Sequence, residues 1–127
     1  MARFAVLGMV ALALAVLAAT AGPAAASVIT TGDVYPDAGT QPDPWAVGGG
    51  LKVGGSGNGA LTIQFGGVVT NTIGFIGYDS GSTGEATVAG ADSQWTNSSS
   101  LRVGEDGSGT LNIESAGVVT NTYGYIG

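Results

Sequence analysis

The chain has 127 residues, with 24 glycines, no cysteine, no histidine and a net charge of −6. The missing thiols and imidazoles exclude disulfide bracing, Cys–His and Ser–His–Asp catalysis, and the usual zinc sites. Outside the first 26 residues only Lys52 and Arg102 are basic, against nine acids, a net of −7 that repels phosphate backbones and argues against nucleic acid as a partner.

The chain opens on Arg3, a short positive start, followed by an almost unbroken apolar run from Phe4 to Ala19. Ala24-Ala25-Ala26 then supplies a small-residue cleavage site. This is the pattern of a secretory signal peptide over residues 1–26, a helix that meets the membrane only during export and leaves Ser27 as the first mature residue. The rival reading is a permanent N-terminal anchor, but the run is short for the ~20 apolar residues that a span needs. A lipoprotein would need a cysteine to acylate.

Residues 27–50 read as a degenerate capping coil. Trp45 lies fifty residues before Trp95, so the period of the following array already holds there. Pro36, Pro42 and Pro44 interrupt it. Proline cannot donate to a strand ladder, so a proline-rich first coil blunts an exposed sheet edge.

Residues 51–127 carry two copies of one sentence. Leu51–Gly77 reads LKVGGSGNGALTIQFGGVVTNTIGFIG and Leu101–Gly127 reads LRVGEDGSGTLNIESAGVVTNTYGYIG, with 16 of 27 positions identical and no gap. A finer unit lies inside the fifty-residue period. The pairs Val53-Gly54, Ile76-Gly77, Val103-Gly104 and Ile126-Gly127 recur at spacings of 23, 27 and 23. Thr70-Asn71, Thr96-Asn97 and Thr120-Asn121 recur likewise, each preceded by a large apolar residue, Val69, Trp95 or Val119. The true unit is about 25 residues, room for about three short strands with turns between them. One such unit cannot bury its apolar face alone and must stack on copies of itself.

The expected fold is therefore all-β: a parallel β-solenoid of ~25-residue coils, neighbours hydrogen-bonded at ~4.8 Å, behind the leader helix. It makes definite demands. Val53, Ile76, Val103 and Ile126 form one inward ladder, Leu61, Ala86 and Leu111 a second, Ile63, Val88 and Ile113 a third. Asn71, Asn97 and Asn121 stack, each amide bonded to the next coil. Gly54, Gly77 and Gly104 take corner conformations. The second fifty-residue copy is truncated at Gly127, where an open ladder edge is an aggregation hazard, so further coils are expected beyond it.

The run QWTNSSSLRVGEDGSGTLNIESAGVVTNTYGYIG, Gln94 to Gly127, resembles the repeat of bacterial type V autotransporter passengers and PEP-CTERM-associated surface proteins. Leu51–Gly77 resembles it equally, and GDVYP at Gly32–Pro36 looks like the opening of such an array. The resemblance implies a non-enzymatic, exported structural or adhesive rod at the cell surface or outside the cell. It carries no catalytic motif. The chain departs from the family in showing neither a translocator barrel nor a C-terminal sorting anchor.

No residue is assigned as a catalytic, cofactor-binding or metal site, and no cofactor is expected. The turns Tyr78–Gly84 and Gly104–Gly109 place Asp79, Glu105 and Asp106 beside flexible glycines, but calcium wants six to eight oxygens and the equivalent turn Gly55–Gly59 carries no acid, so solvated turns are the preferred reading. Glu105 and Asp79 on adjacent coils would be the carboxylate pair of a glycosidase, the rarer use of acids on a solenoid turn. Lys52 and Arg102 share one repeat position and project from one face, two coils apart; solvated edge charges are the preferred reading, and a contact with an anionic polysaccharide is the alternative. Trp45, Trp95, Tyr78, Tyr123 and Tyr125 would suit sugar faces if exposed, whereas the preferred reading of Trp95 is a replacement for Val in the inward ladder or a corner residue. Asn97-Ser98-Ser99 matches a glycosylation triplet that is frequent by chance. The alternative function is a carbohydrate-binding or polysaccharide-degrading β-helix, and the expected partner is extracellular polysaccharide or a surface matrix.

Overall fold

The computed structural model describes residues 24–127, so the expected leader falls almost wholly outside the described residues. From Gly50 onward the chain winds in parallel coils. The first full coil joins Asn58–Gln64 (β6), Val68–Asn71 (β7) and Ile73–Ile76 (β8). The second joins Thr83–Ala89 (β9) to the long strand Gln94–Val103 (β10), and the third joins Ser108–Glu114 (β11) to Val118–Ile126 (β12). β6, β9 and β11 stack in one sheet; β7 and β8, then β10, then β12 stack in the other.

The expected ladders are in register. Val53 pairs with Ile76, Ile76 with Val103 and Val103 with Ile126. Leu61, Ala86 and Leu111 align, as do Ile63, Val88 and Ile113. Val53, Ile63, Ile76, Ala86 and Val88 are fully buried. Ile113 and Ile126 keep the register but are exposed, because they belong to the last described coil, whose outer side is uncovered.

The uneven spacing of 23, 27 and 23 has a simple cause. The corners absorb three of the four extra residues and a bulge in β10 the fourth. The corner before β9 is Gly77–Ser82, two residues longer than Gly54–Gly57 before β6; the next corner, Gly90–Ser93, is one longer than Phe65–Gly67. A bulge at Ser98–Ser99 faces Thr122 alone and adds the fourth. The corner glycines take left-handed backbone, with φ near 74° at Gly54, Gly77 and Gly104. A Cβ at Gly54 would run into the Thr83 carbonyl of the coil above, and one at Gly77 into that of Ser108. Both the torsion and the close stacking therefore demand glycine.

The fifty-residue period, twice the coil, is a packing device. In the first coil the inward residues are Leu61, Ile63, Val69, Gly74 and Ile76; in the second they are Ala86, Val88, Trp95, Leu101 and Val103. Where one coil carries Leu, Val and Gly, the next carries Ala, Trp and Leu. A Cβ on Gly74 would press on Leu101 Cδ1 at 2.9 Å and Trp95 Cζ2 at 3.0 Å. Each coil fills the cross-section with a different distribution of volume, and large groups lie over small ones, the arrangement that lets facing layers interdigitate. The third coil, with Leu111, Val119 and Gly124, returns to the first pattern, and Trp45 and Leu51 before β6 carry the second.

Over residues 27–50 the chain enters differently. Ser27–Gly32 (β1) runs antiparallel to β6, and Gly39–Gln41 (β3) runs antiparallel to β1. Val34–Tyr35 (β2) lies antiparallel on Gly50–Val53 (β5), whereas Trp45–Ala46 (β4) already lies parallel on β7. The Thr30 hydroxyl, 1% exposed, donates to the Asp37 carbonyl at 2.9 Å and accepts from the Gly39 N–H at 3.0 Å, which fixes the β1–β3 turn.

Two carboxylates finish this end. Asp33 Oδ2 accepts from the backbone N–H groups of Ser56 and Gly57 at 2.6 and 2.7 Å. In later coils the corresponding corner N–H groups bond to carbonyls of the coil below: Asp79 to Gly55, and Asp106 to Tyr78. The Asp33 side chain thus stands in for a missing coil, and the N–H groups of Ser56, then of Gly57, hold its carboxyl below its ordinary pKa. Asp43 Oδ1 likewise accepts from the Val68 N–H at 2.8 Å.

Candidate functional site

Two polar assemblies stand out, one inside the solenoid and one outside. The inner one starts from Asn71 and Asn97, adjacent in register on β7 and β10 and both buried. Asn71 Nδ2 donates to Asn97 Oδ1 at 2.8 Å, and Trp95 Nε1 donates to Asn71 Oδ1 at 2.6 Å. The expected amide ladder is present at this rung. It stops at the next, where Asn121 is in register with Asn97 but Asn97 Nδ2 has no partner. At 1% exposure, Asn97 is committed to this network and cannot serve as a glycosylation acceptor. Trp45 and Trp95 are inward, in one ladder with Val69 and Val119.

The outer assembly is built from residues one place before each Val/Ile–Gly pair. Strand alternation turns these outward when the Val or Ile turns in. Tyr35 pairs with Lys52, Lys52 with Phe75, Phe75 with Arg102, and Arg102 with Tyr125. The result is a column along the solenoid axis in which aromatic and cationic residues alternate. Four steps of ~4.8 Å give it a length of about 19 Å.

Both cations lie against aromatic rings, Lys52 on Tyr78 beside the column and Arg102 on its column neighbours. Lys52 Nζ sits 3.9 Å from the Tyr78 ring centroid, and the Tyr78 and Phe75 rings meet edge to face at 4.7 Å. The Arg102 guanidinium carbon lies 4.9 Å from the Tyr125 centroid and 6.0 Å from that of Phe75. These are cation–π distances, which hold long flexible side chains extended against the sheet. Glu105 Oε1 accepts from Arg102 Nη1 at 2.6 Å. Arg102 Nε has no partner. Tyr35 and Tyr125 are 62% and 51% exposed, and Lys52, Phe75 and Arg102 are half-buried. An open recess of about 490 Å³ lies at the Arg102–Tyr125 end, between Glu105 and Ile126.

The shared position of Lys52 and Arg102, two coils apart on one face, is as the sequence implies. Tyr78 and Tyr125 join them. Tyr123 is 60% exposed two residues further back along the strand, opposite Ser100. Glu105 turns to Arg102. Sequence reasoning passed over Phe75 and Tyr35. The signal for Phe75 was available: positions 52, 75, 102 and 125 hold the same letter of the unit and read Lys, Phe, Arg, Tyr. Tyr35 carries no such signal, since it joins the column through an antiparallel strand outside the repeat.

Comparison with protein-family models, with curated proteins and with solved structures yields no match to this chain.

Proposed function

We propose that this protein is a non-enzymatic, exported repeat protein that acts as a stiff β-solenoid rod at the bacterial cell surface or outside the cell, in the manner of the autotransporter passengers and PEP-CTERM-associated proteins that its repeat resembles. The observation that carries this reading is the direct superposition of like residues from coil to coil. Such stacking hydrogen-bonds every coil to its neighbours, so bending the axis would break a whole row of bonds at once. The leader pattern of residues 1–26 supports export. The test is expression behind its own N-terminus in a secreting bacterium, followed by fractionation and intact-mass measurement. A mature chain beginning at Ser27 and accessible to protease added outside the cell is the expected result. A chain retained inside the cell with residues 1–26 attached overturns the proposal.

A second reading, carbohydrate binding, is favoured by the alternating aromatic and cationic column, which has the ring faces and polar heads that sugar surfaces engage.

A further inference from the structure

We infer that the column Tyr35–Lys52–Phe75–Arg102–Tyr125 is a binding strip for a carboxylated polysaccharide, a chain of uronic acid residues lying along the solenoid axis. The inference rests on the exported-rod reading only for where the polymer is met; binding itself is a property of the folded protein.

Charge distribution is the first argument. Lys52 and Arg102 are the only basic residues outside the first 26, and nine acids share the same stretch. In a molecule of that balance, placing both cations in one column and none elsewhere concentrates all attraction for anions on a single line. The second argument is geometry. Neighbouring letters of the column are one coil apart, ~4.8 Å, close to the rise per residue of an extended pyranose chain. The two cations, two coils and so about 9.6 Å apart, therefore match every second carboxylate of such a polymer, with an aromatic ring on either side of each for the sugar faces. The third is preorganisation. Both cations are already held against aromatic faces, Lys52 on Tyr78 and Arg102 between Phe75 and Tyr125, so less side-chain freedom is lost when a ligand binds. Nε of Arg102 is buried and out of a ligand's reach, so a carboxylate would be met at the Nη groups, of which Nη1 is paired with Glu105. Glu105 thus occupies the place where a ligand carboxylate would pair with the guanidinium, and acts as an internal competitor.

This last point gives a test that runs in both directions. Binding of polygalacturonate to the purified protein is measured by calorimetry, beside a fully methyl-esterified polygalacturonate and a neutral β-linked glucan. The wild-type protein is expected to bind the acidic polymer and to weaken as salt is raised. Lys52→Gln with Arg102→Gln is expected to lower affinity about tenfold or more. Glu105→Gln is expected to raise it several-fold. Circular dichroism and urea denaturation confirm that each variant keeps the fold. Equal binding of the neutral polymers overturns the inference, as does unchanged binding in both variants or no binding at all. None of these outcomes bears on export or on the rod, which are read by fractionation and mass.

Discussion

At the scale of single residues, the strongest demand in the interior falls on Asn71. Its carboxamide sits between two buried groups, accepting from the Trp95 indole and donating to Asn97 Oδ1. Asn97 Oδ1 and Trp95 Nε1 are both buried and have no other hydrogen bond within the chain. Removing the amide leaves a buried donor and a buried acceptor unpaired, each costing about 1–3 kcal/mol. Asn71→Ala is therefore expected to destabilise the chain by about 3 kcal/mol, read as a lower urea midpoint at unchanged slope. Asn121, at the equivalent letter of the third coil, makes no such bond, and Asn121→Ala should cost well under half as much. Equal effects at the two positions would show that the Trp95–Asn71–Asn97 chain is not what holds this corner. The comparison also separates what a repeated letter means from what it does. The Thr-Asn pair recurs three times in the sequence, yet of the two asparagine rungs only Asn71–Asn97, which the Trp95 indole joins, is hydrogen-bonded.

At the scale of elements, the ends of the array pose a problem that its middle does not. A coil inside the stack has its corner N–H groups satisfied by the coil below. The first full coil has Asp33 instead, with its carboxylate on the Ser56 and Gly57 N–H groups. Because these bonds favour the ionised form, the folded pKa lies below the unfolded value. The contribution is then fully present above the unfolded pKa and is lost as pH falls through the lowered folded one. Urea midpoints measured from about pH 5 down to about pH 2.5 should fall more steeply for the wild type than for Asp33→Asn, which keeps an acceptor but has no charge to lose. Parallel curves would mean that Asp33 is merely a surface acid. The repeat itself was legible in the sequence, since the same letters at a fixed period must stack. This end was not. β1, β2 and β3 run antiparallel and obey no period, so proline content pointed to a cap without revealing that the chain approaches its first coil from the opposite direction.

At the scale of the whole molecule, the question is why the repeat is fifty residues long when a coil is about twenty-five. The ladders were readable as lines of apolar residues, but not the alternation of volume across them. That is a property of five inward positions taken together, and no single position shows it. If the alternation matters, the order of residues along a ladder is as constrained as their composition. Leu61 and Ala86 provide a clean case, because they are neighbours in one ladder, both buried and both purely apolar. Exchanging them by Leu61→Ala with Ala86→Leu leaves composition, charge, hydrogen-bonding groups and total side-chain volume unchanged. It puts Ala in the coil that already has Val69 and Gly74, which hollows it, and Leu in the coil that already has Trp95 and Leu101, which overfills it. A buried Leu→Ala change costs about 2–5 kcal/mol, and overpacking about 1–3 kcal/mol. Neighbouring coils relax into each other, so the two effects are less than additive, and a loss of about 4 kcal/mol is expected in urea denaturation. A solenoid that only needs something hydrophobic at each inward position would tolerate the exchange with little change. That result would reduce the fifty-residue period to an accident of duplication rather than a rule of packing.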